Sequence, residues 1–151
     1  MKSAFQDKVS ILPMTEAHID DVSEIDESYS TAPWSRDLFL KELEHIFSYN
    51  FVMFFERELT GFMNFWVIGE CLELNNFAIR DNYRGKGLGK YFLMFLIETG
   101  KILNVSKIFL EVKEDNLNAF ELYKKFDFIV SGVRKKYYSD GSDAVLMERI
   151  L

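Results

Sequence analysis

The stretch Arg84-Gly85-Lys86-Gly87-Leu88-Gly89 has the residue types and spacing to grip an anion. An apolar, strand-like segment over 71–79 runs into it, and a helical pattern over 88–103 runs out of it. Glycines let a backbone approach a ligand closely. The first N–H groups of a helix lack internal partners, and the helix dipole adds positive potential at the same point. The chemistry this suits is the holding of a phosphate-bearing cofactor. Arg80, Arg84, Lys86 and Lys90 oppose Asp81 alone over this segment. A solvated basic turn, or a helix N-terminus with spare glycines, would read similarly; the adjoining glycines favour a cradle.

Spacing narrows the choice of cofactor. The Walker pattern G-x-x-x-x-G-K-S/T is not met, and neither is the dinucleotide fingerprint G-x-G-x-x-G. Begun at Gly85, that fingerprint ends on Lys90; begun at Gly87, it ends on Phe92. What fits is R-x-x-G-x-G, read as Arg84, Gly87 and Gly89. A second residue stands out. Glu111 interrupts the apolar run Ile108-Phe109-Leu110-Glu111-Val112. A charge there is costly unless it has a partner or a role. Alternation groups Glu111 with Phe109 rather than with Leu110. A general base, an ion pair and an outward-facing carboxylate all remain open on the pattern alone. Burial would favour the first, since it lifts a carboxyl toward the range a base needs.

The elements that must position these residues follow from periodicity. A first strand over 9–12 ends at Pro13. Thr15 is placed as an N-cap, with His18 where Glu is favoured, and Ile19, Val22 and Ile25 recur at helical spacing to about residue 28. After a loop over 30–34, Ser35 caps a second helix carrying Leu38, Phe39, Leu43 and Phe47. Three strands over 50–56, 59–68 and 71–79 form a meander, turned at Arg57-Glu58 and Gly69-Glu70. The helix after the glycine loop carries Leu88, Phe92, Phe95, Leu96 and Leu103 on one face. A buried strand over 106–112, a helix over 116–126, and strands over 128–133 and 144–150 complete the order β-α-α-β-β-β-α-β-α-β-β. Strand, helix, strand after residue 71 implies one parallel pair within an otherwise antiparallel sheet. The expectation is a single α+β domain over 1–151, with a mixed sheet and helices on both faces.

Composition excludes several classes. The chain has 151 residues, suited to one domain, and 15 Phe and 7 Tyr supply a sizeable core. A net charge of −6 argues against a general nucleic-acid surface and suits a basic substrate. The single Cys71 forms no internal disulfide, hints at a reducing compartment, and reads as a small core residue. His18 and His45 lack clustered ligands, so no metal is expected. No signal peptide or membrane span is visible, and a cytoplasmic location is expected.

Several motifs carry a family resemblance. R-x-x-G-x-G over Arg84, Gly87 and Gly89 resembles the acyl-CoA loop of the GNAT superfamily of N-acetyltransferases. Pro33-Trp34-Ser35 resembles a turn of its RimI group, the protein N-terminal alanine acetyltransferases. Leu74-Asn75-Asn76-Phe77-Ala78-Ile79 resembles that group's strand before the loop. Leu110-Glu111-Val112-Lys113, with the later Asn116, resembles its leucine–glutamate–valine–arginine stretch. Ala119 to Tyr123 through Phe128, and Arg134-Lys135-Lys136-Tyr137-Tyr138 followed by Asp140-Gly141, resemble its last helix and hairpin. The match runs over roughly residues 9 to 150. Asp127 stands where the group has glycine at a positive-φ site, and Lys113 where it has arginine.

The resemblance implies the acyl-CoA N-acyltransferase fold and acetyl-CoA as cofactor, with no metal. It implies Glu111 as the base that takes the proton of the attacking amine and Tyr123 as the acid for the departing thiolate. Taken alone, Tyr123 would read as a core tyrosine. Arg84, Gly85, Lys86, Gly87, Leu88, Gly89 and Lys90 would hold the diphosphate. Phe77, Ala78 and Ile79 would line the pantetheine, and Asn116 would cap its helix, contact the cofactor, or both. Trp34, Tyr137 and Tyr138 would line the groove for a protein N-terminus, with a ribosomal protein among the candidate substrates. An α-amine, with a pKa near ~8 against ~10.4 for lysine, is easier to deprotonate by roughly 3 kcal/mol. The alternatives are acetylation of a small amine and a non-catalytic acyl-CoA-binding domain. A monomer or weak homodimer is expected.

Overall fold

Seven strands and four α-helices follow one another in the expected order among the described residues, 6–151 of this computed structural model. They are β1 (Val9–Pro13), α1 (Ile19–Tyr29), α2 (Arg36–Glu44), β2 (Ser48–Phe55), β3 (Glu58–Ile68) and β4 (Cys71–Ile79). Then come α3 (Leu88–Ile102), β5 (Lys107–Lys113), α4 (Leu117–Lys125), β6 (Ile129–Arg134) and β7 (Ala144–Ile150). The strand order is β1-β2-β3-β4-β5-β7-β6, and β4 with β5 is the parallel pair. The described residues resolve into two compact units, one of residues 6–66 and 76–93, the other of residues 67–75 and 94–151.

The first unit is built from β1, β2, β3, the end of β4, α1, α2 and the start of α3. Ile19, Val22 and Ile25 of α1 and Phe39 of α2 are buried with Val52, Phe62 and Ala78. β3 is buried continuously from Leu59 to Phe65, polar Thr60 and Asn64 included, so its sequence shows no polar-apolar alternation. Thr15 and His18 form the expected capping box, but it opens a 3-10 turn, and the N-cap of α1 itself is His18. A 3-10 turn over Glu16–His18 precedes the helix, and the Thr15 N–H donates to His18 Nδ1 at 2.9 Å. Ser35 Oγ accepts from the Leu38 N–H at 3.1 Å and caps α2.

The second unit holds the start of β4, the end of α3, β5, α4, β6 and β7. β5 alternates strictly: Ile108, Leu110 and Val112 are buried, while Lys107, Phe109, Glu111 and Lys113 share the half-open face. The parallel ladder pairs Leu72 with Ile108 and Leu74 with Leu110. Glu111 is the next residue of β5 after that last pair. On its other side β5 pairs antiparallel with β7, Glu111 opposite Leu146 and Lys113 opposite Ala144. β7 in turn pairs with β6, Arg134 opposite Ala144. Cys71 is exposed, which corrects its reading as a core residue. It begins β4 on the face it shares with exposed Glu73, while Leu72 and Leu74 point inward.

Candidate active site

The glycine loop belongs to the first unit. Its entry is anchored by the Arg80 N–H, which donates to Thr60 O at 2.7 Å. A 3-10 turn over Asp81–Tyr83 follows. Arg84 then folds back onto the protein: Nε donates to Ile79 O at 2.9 Å, NH1 pairs with Asp81, and the guanidinium lies 4.9 Å from the Tyr29 ring centroid. Its side chain thus braces the base of the loop. Gly85 and Gly87 adopt φ of +74° and +86°, and a Cβ at either would meet no heavy atom within 4 Å. Their backbone is therefore bare toward solvent and in a conformation that side chains disfavour. The first helical bond of α3 runs from the Tyr91 N–H to Gly87 O at 3.1 Å, so the amides of Leu88, Gly89 and Lys90 precede the internal ladder. Bare glycine backbone followed by three such amides fits a diphosphate. Lys86 reaches over the Tyr83 ring, at 5.3 Å.

Strand β4 leads into this loop with its side chains already engaged. Ala78 and Ile79 are buried, and Phe77 packs edge-on against Phe92 of α3 at 5.7 Å. What these residues can offer a ligand is mainly backbone. Trp34 is likewise tied to the protein: its N–H donates to Asp26 Oδ2 at 2.8 Å, and its ring lies 5.3 Å from Phe39. Asp26 is fully buried. Burial pushes its carboxyl above the usual carboxylate range, and Glu27 pushes it the same way. The Trp34 amide and the Asn76 side chain oppose the shift. Sequence reasoning passed over Asp26, although it falls in phase with Ile19 and Val22 on the apolar stripe of α1.

The second unit carries the candidate acid and base. Glu111 is not deeply buried: its side chain is 29% exposed, and Oε1 lies 3.3 Å from NH1 of Arg134. The ion pair left open by the sequence is present, and burial alone does not describe this carboxylate. Arg134 was read only as part of a motif. Its proximity depends on register, since Arg134 and Lys113 both sit opposite Ala144, on its two sides. The same guanidinium stacks over the Tyr137 ring at 5.4 Å, and Tyr137 meets Tyr138 edge-on at 5.2 Å.

Tyr123 is held by the end of its own helix. Asn116 caps α4, its side-chain oxygen accepting from the Ala119 N–H at 3.3 Å. At the other end the Phe128 N–H bonds to Tyr123 O and the Asp127 N–H to Lys124 O, both at 3.1 Å. This is a Schellman motif with Asp127 in the left-handed position, φ +65°, where the sequence placed it. The accompanying apolar contact is Tyr123 with Phe128, ring centroids 5.7 Å apart. Tyr123 is 7% exposed. The described residues hold no cluster of three or more side chains that could bind a metal, and none of their helices is long and apolar enough to cross a membrane.

A mixed sheet with β4 and β5 as its one parallel pair, in this order of elements, is the fold of the acyl-CoA N-acyltransferases. The chain belongs to the acetyltransferase (GNAT) family, whose model matches residues 19–128, and it is an N-acetyltransferase of that type; the family uses acetyl-CoA. It is 35% identical over 142 residues to a Bacillus subtilis relative provisionally named a ribosomal protein bS18-alanine N-acetyltransferase, covering 93% of this chain and 94% of that one. The crystal structure of the Escherichia coli ribosomal-protein-S18-alanine N-acetyltransferase superposes with a TM-score of 0.87 at 26% identity, covering 94% and 93% of the two chains. Ard1 from Thermoplasma volcanium shares the fold, with a TM-score of 0.89 at 24% identity and coverage of 95% and 98%.

Proposed function

We propose that this chain transfers the acetyl group of acetyl-CoA to the N-terminal α-amine of a protein, with a ribosomal protein the favoured substrate. The observation that carries this reading is the match along nearly the full length of both chains to a relative named for that activity. The local geometry supports it. The amides from Gly85 to Lys90 hold the diphosphate, and the backbone of Phe77 to Ile79 holds the pantetheine arm. When bound, acetyl-CoA supplies the activated acyl group. Glu111 accepts a proton from the incoming amine, directly or through a water. Tyr123, held by its Schellman cap, donates a proton to the departing sulfur. Tyr137 and Tyr138, with Trp34, line the path of the peptide. The two units act as one catalytic domain, as a monomer or weak homodimer in the cytoplasm.

The test is substrate choice. The protein is given acetyl-CoA and, in turn, an alanine-initiated peptide, the same peptide with a blocked N-terminus and an internal lysine, and spermidine. Mass spectrometry then locates any acetyl group. Acetylation of the free α-amine alone supports the reading. Turnover of spermidine alone would move the chain to small-amine acetylation, and binding of acetyl-CoA without turnover of any acceptor would make it a binding domain.

A further inference from the structure

The hairpin loop between β6 and β7, residues 135–143, carries Tyr137 and Tyr138 and is fastened to the end of β5. Lys113 Nζ lies 2.5 Å from Asp140 Oδ2 and 3.6 Å from Asp115 Oδ2, and 6.0 Å from the Tyr138 ring centroid. The Lys113 side chain is only 18% exposed, although it sits two residues beyond Glu111 on the half-open face. Asp140 is itself pre-arranged, its Oδ1 accepting from the Ser142 amide at 2.9 Å and from the Ser142 hydroxyl at 2.5 Å. The backbone adds one more tie: the Glu114 N–H donates to Asp143 O at 3.0 Å. Asp143 closes the loop from inside, accepting from the Lys136 N–H at 2.9 Å and pairing with Lys135 at 3.2 Å. The loop therefore meets β5 at its start through Arg134 and Glu111, and at its tip through Asp140 and Lys113.

We propose that Lys113 is a positioning residue that fastens the tyrosine loop beside Glu111 through its ion pair with Asp140, and thereby sets affinity for the peptide acceptor. The inference rests on the reading of Tyr137 and Tyr138 as a wall of the peptide path. Lysine suits this task because its ammonium is a compact point charge that meets one oxygen of Asp140 closely and one of Asp115 farther off, which needs no planar fork. The ion pair favours the charged form of both partners. The Lys113 ammonium, ahead of Ser142, holds the Asp140 carboxyl far below the usual carboxylate range, and Asp140 in turn holds the Lys113 ammonium above its usual range.

The test compares Lys113→Met, Asp140→Asn, the double variant and Lys113→Arg in steady-state kinetics on an alanine-initiated peptide. Each single variant is expected to raise the peptide KM roughly three-fold or more, the upper part of what one partly exposed ion pair supplies. The KM for acetyl-CoA should stay put, the double variant should cost no more than either single one, and Lys113→Arg should restore most of the loss. Asp140→Asn keeps the cation near Glu111, so an effect of that variant cannot be charge lost beside the base. Tyr137→Ala tests the wall itself. If it leaves peptide KM unchanged, the wall reading fails. If it raises peptide KM while Lys113→Met and Asp140→Asn do not, or if their costs simply add, the fastening role is overturned.

Discussion

Gly61 sits buried in β3, against Ala78 and Ile79 of β4. A Cβ built at Gly61 would lie 2.7 Å from Ile79 Cδ1 and 2.9 Å from Ala78 O. The isoleucine methyl can rotate away. The carbonyl cannot, because it belongs to the strand. Ordinary carbon–oxygen contacts begin near ~3.3 Å, so the Ala78 carbonyl must retreat by about 0.4 Å or β3 must bow by as much. Overpacking of this kind costs ~1–3 kcal/mol, offset by up to ~1 kcal/mol because alanine loses less backbone entropy than glycine. Gly61→Ala should therefore be less stable by about 1–2 kcal/mol, a fall of roughly 2–8 °C in Tm for a chain of this size. The displaced carbonyl belongs to the segment proposed to hold the pantetheine, so affinity for CoA should fall as well. Thermal unfolding with calorimetric titration of CoA reads both. A variant as stable as the parent, with unchanged affinity, would refute the claim that the Gly61–Ala78 approach is tight and shapes the binding edge.

Gly87→Val should weaken CoA binding about ten-fold or more, through backbone strain at φ +86° rather than a clash with protein, and Gly87→Asn should lose less because Asn tolerates positive φ; equal affinities by titration would contradict the cradle. Glu111→Gln should lower kcat by about 10²-fold while CoA still binds, measured by turnover and titration side by side. Asp127→Gly should raise stability by up to ~1 kcal/mol in urea unfolding, because it removes a left-handed non-glycine residue from the cap behind Tyr123. Asp26→Asn should raise Tm at pH 7. A buried carboxyl whose folded pKa lies above its ordinary 3.8 loses stability as pH rises from that value through the folded one, and the penalty then persists. The gain should shrink as the pH is lowered from the raised folded value toward 3.8 and be gone below it, and a gain independent of pH would show that charge burial is not its cause.

Much of the fold was legible because its signals are local. The order of elements follows from runs such as Cys71 to Ile79 and from the caps at Thr15 and Ser35. The parallel pair follows from a helix lying between two strands. The loop was legible because glycine at 85 and 87 has few other uses. What escaped the sequence depends on register and depth. Arg134 reaches Glu111 because β6 sets it opposite Ala144 while β5 sets Glu111 opposite Leu146, two residues along β7, and no spacing in one chain reveals that. Cys71 was misplaced because an apolar residue at a strand start can face either way. The depth of Glu111 stayed open in the sequence, since alternation tells which residues share a face but not how far that face is covered. The partners of Lys113 escaped too, because Asp140 lies 27 residues away in a loop whose path the sequence does not give.

The account turns on backbone amides taking the diphosphate, and two-dimensional amide NMR observes those groups one by one. Titrating CoA should shift the resonances of Gly85, Gly87, Leu88, Gly89 and Lys90 strongly, while pantetheine, which lacks the diphosphate, should leave them in place. Shifts confined to other parts of the chain, or the same shifts with pantetheine, would contradict it.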